Sequence, residues 1–407
     1  MAGAAAAVSP PVEKADATAW IAVAAGALGA MLATLDISIV NSALPTIQGE
    51  IGATGTEGTW IATAFIVAEI IIIPLSAWLE RLLGLRTLLI VAVSAFTAFS
   101  VLCGIATDLT TMIIGRTGQG FMGGALIPTA MTIVAKRLPP SQQPIGMALF
   151  GMTVVLGPVM GPLVGGWLTE NLSWHYAFFV NVPVCALLLA LLFIGLPHEK
   201  PDWVYLREAD WAGIAGMILG LGGLTIVLEE GHREEWFDST LIVQLTLMTV
   251  VGFALLTYGQ LYARKPVLKL RLMLSRQFAS VVVMALALGM VMYGSTYVIP
   301  QFLAIISDYN ALQTGLVIFW MGVPAFLLMP VLPFMIRRIH IRIAVGAGMF
   351  IMALSCFVSI NLTAESGGGV FTESQFLRGI GMILTMMFLN QATVASVAKE
   401  DAGDASG

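Results

Sequence analysis

Apolar residues run along this chain in long stretches, broken by short polar segments that carry most of the lysines and arginines. Crossing a bilayer as a helix takes about 20 mostly apolar residues. Twelve stretches meet that length, at roughly 20–45, 58–79, 87–107, 109–135, 145–168, 177–196, 211–229, 240–263, 278–303, 312–336, 343–362 and 374–398. Each predicts a helix, because an open sheet would leave its edge hydrogen bonds unmet in lipid. The pattern predicts an all-α integral membrane protein with about 12 transmembrane helices.

Composition points to the same solvent. Hydrophobic residues make up 58% and charged residues 11% of the 407, and mean hydropathy is +0.91. A soluble domain carries about 25% charged residues. With the N-terminus in the cytoplasm and the loops assigned alternately, sixteen of the nineteen Lys and Arg fall inside and only Arg233 outside. The other two, Arg116 and Arg378, fall within helices. Cytoplasmic loops collect Lys and Arg, so the bias supports both the count and an inner-membrane protein with a cytoplasmic N-terminus. The first 19 residues lack the basic region of a cleaved signal peptide and read as a cytoplasmic tail.

Two segments repeat. Pro74 to Arg86 (PLSAWLERLLGLR) and Pro330 to Arg342 (PVLPFMIRRIHIR) share a Pro, an Arg seven residues on and another Arg five further, at an offset of 256. Arg116 and Arg378 follow each at an offset of 262. Duplicated halves of this kind place a transported molecule between them at the midplane. The organisation read from this is a tail at 1–19, a six-helix bundle at 20–196, two extra helices and a basic cytoplasmic loop at 197–276, and four of the six helices of a second bundle at 277–407. A chain ending after four helices reads as C-terminally truncated, and as inactive alone because its central cavity would open to lipid.

Asp36 in helix 1 and Glu69 in helix 2 stand in apolar runs. An embedded charge costs about 2.5–3.5 kcal/mol on insertion scales, so such residues mark a cavity or a partner. Arg116 lies about 12 Å from the outer end of helix 4 and Asp36 about 13 Å from the outer end of helix 1, counting 1.5 Å per residue, so the two can meet. Two readings follow: an ion pair that only fixes packing, or acids that take up and release a coupling proton, since desolvation favours a neutral carboxyl. In helix 5, Gly157, Gly161 and Gly165 recur every fourth residue with Pro158 and Pro162 beside them. Small residues at this period allow close helix approach and prolines bend a helix, so tight packing and a hinge are both open. Cys103, Cys185 and Cys356 fall in separate apolar runs and read as small buried thiols. The four histidines lack metal-ligand spacing, no phosphate loop is present, and no polar cluster suits an enzyme. No metal or cofactor is implied, and in the second reading of the buried acids the coupling source is a proton gradient.

These residues resemble a known family. LDISIVNSALP, GRTGQGFMGGALIP and GPVMGPLVGG resemble the helix-1, helix-4 and helix-5 motifs of the fourteen-span drug:proton antiporters of the major facilitator superfamily. WHYAFFVNVPV, DWAGI and EEGHREEWFDS are similar to its EmrB-type branch. The resemblance implies a major facilitator fold of fourteen helices, with about twelve present here. It implies Arg116 and Asp36 as proton-coupling groups, with Asn41, Pro45, Gln119 and Gly120 as motif or cavity residues. Gly157, Pro158, Gly161, Pro162, Gly165 and Gly166 would form the antiporter hinge. Arg81 and Arg86 would form a basic cytoplasmic gate, although Arg81 stands where the superfamily usually has Asp. Implied partners are drug-like molecules, protons, the lipid bilayer, a periplasmic adaptor and an outer-membrane channel, with no nucleic acid. The expected function is multidrug efflux; a transporter of one metabolite and a non-transporting membrane sensor are the alternatives.

Overall fold

The computed structural model describes residues 14–263, 266–268, 270–309, 311–328, 331–363 and 366–396. Arg264, Lys265, Lys269, Pro330, Lys399 and the terminal DAGDASG, all used in the sequence reading, lie outside the described residues. The described chain is helical throughout, with no strand among its elements. Its helices are α1 (Ala17–Glu50), α2 (Gly55–Gly58), α3 (Trp60–Leu83), α4 (Leu85–Gly104), α5 (Leu109–Gly123), α6 (Leu126–Arg137), α7 (Gln143–Asn171), α8 (Tyr176–Phe179) and α9 (Asn181–Gly195). There follow α10 (Val204–Arg207), α11 (Trp211–Glu230), α12 (Thr240–Tyr262), α13 (Arg276–Ile305), α14 (Ala311–Leu328), α15 (Leu332–Arg338), α16 (Ile341–Val358) and α17 (Phe371–Ala395).

Nine helical segments among the described residues are long and apolar enough to cross a membrane, so the chain is a multi-pass membrane protein. The predicted stretches 109–135, 312–336 and 374–398 fall outside that set, although each holds helix among its described residues. The first is two helices, α5 and α6, parted at Gly124–Ala125. In stretch 312–336 the described helices are α14 and α15.

Helix 1 runs farther than predicted. It continues through Pro45 to Glu50, 34 residues in all. Proline at 45 withholds a backbone bond from the carbonyl of Asn41. Both residues lie on the exposed side of α1, where the missing bond disturbs no packed neighbour. Asp36 therefore sits near the middle of the helix.

Polar caps fix several helix starts. Asp16 accepts from Ala19 N at 2.8 Å, Asp108 from Thr111 N at 2.9 Å and Asp210 from Gly213 N at 2.8 Å. Each satisfies a backbone donor that the first turn leaves free.

The first bundle packs α1 against α6, α7 and α9, with α5 between α3 and α4. Its core joins Ala22, Leu32, Phe65, Phe96, Leu126 and Leu188. A second core, from α13 to α17, holds Met321, Met352, Met382 and Phe388, and takes in Ala148 and Val159 from α7. Helix α7 thus belongs to both cores.

The extra helices α11 and α12 pack face to face through glycine. A Cβ on Gly216 would lie 2.7 Å from Gly252 O, and one on Gly252 2.6 Å from Gly220 Cα. Such small-residue faces suit a bilayer, where association rests on close packing. This pair leans on the first bundle. Ile71, Ile72 and Leu75 of α3 share a core with Ile214, Met217 and Leu256. Thr63 Oγ1 on α3 donates to Glu230 Oε1 on α11 at 2.8 Å, both residues being buried. Arg233 closes the cluster, with Nη2 at 2.6 Å from Glu230 Oε2 and a bond to Thr59.

Candidate functional site: a buried ion pair and its polar shell

Six helices of the first bundle converge on one polar network. Arg116 Nη1 on α5 lies 2.6 Å from Asp36 Oδ2 on α1, and neither residue is exposed. The other oxygen of Asp36 accepts from Gln119 Nε2 at 3.2 Å and from Asn181 Nδ2 at 2.6 Å. Gln119 and Asn181 also donate to Ser100 Oγ, each at 2.8 Å, and Ser100 donates to Phe178 O at 3.3 Å. That uses both lone pairs and the proton of the Ser100 hydroxyl. Arg116 donates further to Gln119 Oε1 at 3.1 Å and, through Nε, to Ile61 O at 3.3 Å. Its guanidinium lies over the Phe65 ring at 4.2 Å, a favourable cation–π contact. The Cys103 thiol donates to Gln119 Oε1 at 3.4 Å.

Local sequence explains the positioning. Arg116 and Gln119 are three residues apart on α5 and so share a face. Gly120 gives α5 its closest approach to α3, where an added Cβ would lie 2.9 Å from Phe65 Cα. Gly120 therefore lets the helices close on Arg116. Ser100 and Asn181 are not singled out by the sequence, and Cys103 reads there only as a buried thiol. Asn181 lies in WHYAFFVNVPV, where an amide inside an apolar run is the signal that points to it. Asn41 and Pro45 are exposed and take no part in the network.

Glu69 on α3 stands apart from this shell. It is half-buried beside the α5–α6 break, where an added Cβ on Gly124 would lie 3.0 Å from its Cγ. It has no hydrogen bond or ion pair among the described residues. It lies within electrostatic reach of Asp36, Arg116 and, from α13, the exposed Tyr293.

The glycine face of α7 lies directly on α1. Added Cβ atoms would lie 2.7 Å from Thr34 Cβ at Gly157, 3.0 Å from Ser38 Cα at Gly161 and 2.7 Å from Ile39 O at Gly165. Gly166 is buried beside them. Pro158 and Pro162 lie inside the same helix. The other side of α7 meets α14, where a Cβ on Gly322 would lie 2.8 Å from Val159 Cγ1 and one on Gly315 3.6 Å from Pro162 Cβ. The helix carrying the prolines is thus the one shared by the two cores.

At the opposite end of α3 an ion pair joins Glu80 to α6 across the bundle: Lys136 Nζ lies 2.6 Å from Glu80 Oε1. Arg86 Nη1 donates to Leu196 O at 3.1 Å. Gly84 turns the chain there at φ 79°, and an added Cβ would lie 2.7 Å from Glu199 Cβ, so a side chain is excluded twice.

In the second core, Arg378 is buried and donates to Gln375 Oε1 at 2.8 Å. Arg116 and Arg378 thus each hold a glutamine three residues away, toward opposite helix ends. Cys356, read as a buried thiol, is exposed, while Cys103 and Cys185 are buried.

The sequence matches the Major Facilitator Superfamily over residues 26–407. It is similar to the colistin resistance protein EmrB of Acinetobacter baumannii, 32% identical over 96% of this chain and 76% of that protein. It is also similar to the fatty acid resistance protein FarB of Neisseria gonorrhoeae, 31% identical over 95% and 75%, and to the multidrug export protein EmrB of Escherichia coli, 31% over 93% and 74%. Among solved structures, the human organic anion transporter MFSD10 has the same fold, with a TM-score of 0.64 at 17% identity, covering 98% of this chain and 89% of that one. The family match over nearly the whole sequence, the helical fold and the relatives agree: the chain belongs to the major facilitator superfamily, in its EmrB-type branch.

Proposed function

We propose that this chain is a proton-coupled antiporter that exports hydrophobic small molecules by alternating access. In this reading it lies in the inner membrane with its N-terminus in the cytoplasm, as the Lys and Arg distribution favours. The bundle at 20–196 and the second bundle beginning at 277 rock against each other, and the pair within 197–276 links them. The observation that carries the proposal is a division of labour between two embedded acids. Asp36 is fully satisfied by Arg116, Gln119 and Asn181, whereas Glu69 stands nearby without an ion-pair partner among the described residues. A carboxyl free of a fixed cation can exchange its proton against cargo, and Asp36–Arg116 senses that exchange electrostatically. Helix α7 relays it, since it touches α1 on one face and α14 on the other. Gly157, Gly161, Gly165 and Gly166 let α1 and α7 slide in contact, and Pro158 and Pro162 supply the bend. Glu80–Lys136, with Arg81 and Arg86, closes the cytoplasmic end.

The relatives are named for colistin, fatty acid and multidrug resistance or export. For this chain the cargo is taken as hydrophobic and cationic or weakly acidic. A periplasmic adaptor and outer-membrane channel are partners by analogy with the branch alone. The test is substrate-driven proton release in proteoliposomes. Glu69→Gln abolishes it and Asp36→Asn reduces it. Coupling that survives intact in both variants overturns the proposal.

A further inference from the structure

The motif DWAGI opens α11, and its acid is buried. Each carboxylate oxygen of Asp210 has its own backbone donor. Oδ1 accepts from Gly213 N at 2.8 Å, which caps α11. Oδ2 accepts from Val267 N at 3.3 Å, 57 residues on. A cap needs only the first bond. The second joins the start of α11 to the chain that has left α12. Glycine makes room for the carboxylate: an added Cβ would lie 2.6 Å from Asp210 Cγ at Gly213, and 2.9 Å from it at Gly259 on α12.

What Asp210 holds belongs to the first bundle. Val267 is buried in one core with Ile71, Ile72 and Leu75 of α3 and Ile214 and Met217 of α11. The α11–α12 pair is also tied to α3 at both ends. At one end Asp202 N donates to Leu82 O at 2.9 Å and Glu199 Oε2 accepts from Leu85 N at 2.7 Å, so the segment entering α11 is stitched to the α3–α4 turn. At the other, Thr63 on α3 holds Glu230 on α11. Neither α11 nor α12 enters the core of α13 to α17 among the described residues. Beyond Val267 the packing loosens. The 3-10 turn Leu270–Leu274 leaves Leu270, Met273 and Leu274 exposed. Ser275 then starts α13, its hydroxyl accepting from Phe278 N at 3.3 Å. Hydrogen bonds of 3-10 geometry are poorer than those of an α-helix, and such turns serve as hinges.

We propose that Asp210 is a positioning residue: it clasps Val267 to the body formed by α11, α12 and the first bundle, so that the second bundle pivots at Leu270–Leu274. This inference rests on the rocking of two bundles proposed above and says which of them the extra pair travels with. A link free along its whole length would let the second bundle swing in any direction. Fixed at Val267 on one side and at Ser275 on the other, the link bends only in the short turn between them.

The test uses pairs of spin labels on the whole chain in nanodiscs, with Cys356→Ser removing the exposed thiol. Ile105 ends α4, Phe237 joins α11 to α12 and Ile360 follows α16, and all three are more than half exposed. Each pair of them is replaced by cysteine, and distances are compared at acid and alkaline pH, with and without tetraphenylphosphonium. The Ile105–Phe237 distance is expected to stay fixed while Phe237–Ile360 changes along with Ile105–Ile360. A fixed Phe237–Ile360 distance with a changing Ile105–Phe237 one overturns the proposal and leaves rocking intact. An Ile105–Ile360 distance constant in every condition removes the rocking itself, and the pivot with it. Asp210→Ser reads the clasp. Its single oxygen caps α11 but cannot also hold Val267 N. Hydrogen exchange at Val267 is expected to rise about tenfold while α11 stays protected. The Phe237–Ile360 distances are expected to broaden while the Ile105–Phe237 ones do not. Exchange that rises equally along α11 would mark a helix cap and nothing more, and unchanged exchange at Val267 or an unchanged Phe237–Ile360 width would show no clasp. Each of these overturns the proposal.

Discussion

Arg116 reaches Asp36 across 80 residues of sequence with its Nη1 2.6 Å from Oδ2, and both side chains are shut away from the surface. Each remaining polar atom of Asp36 is also met, by Gln119 and Asn181. Breaking such a pair from one side leaves a bare charge indoors and costs about 3–5 kcal/mol, whereas removing both partners is often close to neutral. Asp36→Ala and Arg116→Leu are each expected to lower stability by about that amount, and the double variant to recover most of it. Thermal unfolding of the four proteins in one detergent measures the cycle. Additive losses would mean that the two side chains do not hold each other.

The shell around the pair has its own weight. Asn181 places one amide between Asp36 Oδ1 and Ser100 Oγ. Bonds to a charged group are worth about 1.5–3 kcal/mol, and neutral ones about 0.5–1.5. Asn181→Leu is therefore expected to cost about 1.5–3 kcal/mol and Ser100→Ala about 1 kcal/mol. The same denaturation series reads both. A Ser100→Ala loss larger than that of Asn181→Leu would contradict the ordering of donors described here.

Contact between α1 and α7 is tight enough for a compensation test. An added Cβ at Gly161 would run into the Ser38 Cβ first, with the Ser38 Cα 3.0 Å away. Overpacking of this kind costs about 1–3 kcal/mol. Gly161→Ala is expected to destabilise by that amount, and Ser38→Gly on the same chain to restore part of it. Transport assays then separate packing from hinge action. If Gly161→Ala/Ser38→Gly regains stability but not flux, the face must slide and not only fit.

Much of this was legible in residue types and spacing. The spanning helices announced themselves because lipid demands long apolar runs, and Asp36, Glu69 and Arg116 stood out because charge in such runs is expensive. Depth counting brought Asp36 and Arg116 to the same level even though α1 continues past Pro45. Ser100 and Asn181 stayed hidden because small neutral polar residues are common in membrane helices and carry no sign of what they face. The break at Gly124 was hidden too, since Gly124–Ala125 sits in an apolar run. Glu80 was overshadowed by Arg81: a linear sequence shows the basic turn but not that Lys136, 56 residues on, points back to it. For α7, the fourfold glycine period gave the smooth face but not which helix would occupy it.

The last prediction concerns the helix ends, where water screens the charges. Asp108 caps α5: the Thr111 hydroxyl donates to Oδ2 at 2.7 Å and the Thr111 amide to Oδ1 at 2.9 Å. Both bonds favour the carboxylate, the hydroxyl more, and hold its pKa below the ordinary 3.8. Asp16 is lowered in the same way by the Thr18 hydroxyl and the Ala19 amide. A folded-state pKa below the unfolded one means that the unfolded chain binds more protons as pH falls. The caps therefore stabilise fully above the ordinary value and lose their effect as pH drops through the lowered one. Between pH 5 and pH 3 the Tm of the wild type should fall more steeply than that of an Asp16→Asn/Asp108→Asn variant, whose amide caps do not titrate. Because both acids lie at the surface, the difference is small and shrinks with added salt. Parallel Tm curves for the two proteins across that range would show that the caps carry no proton-linked stability.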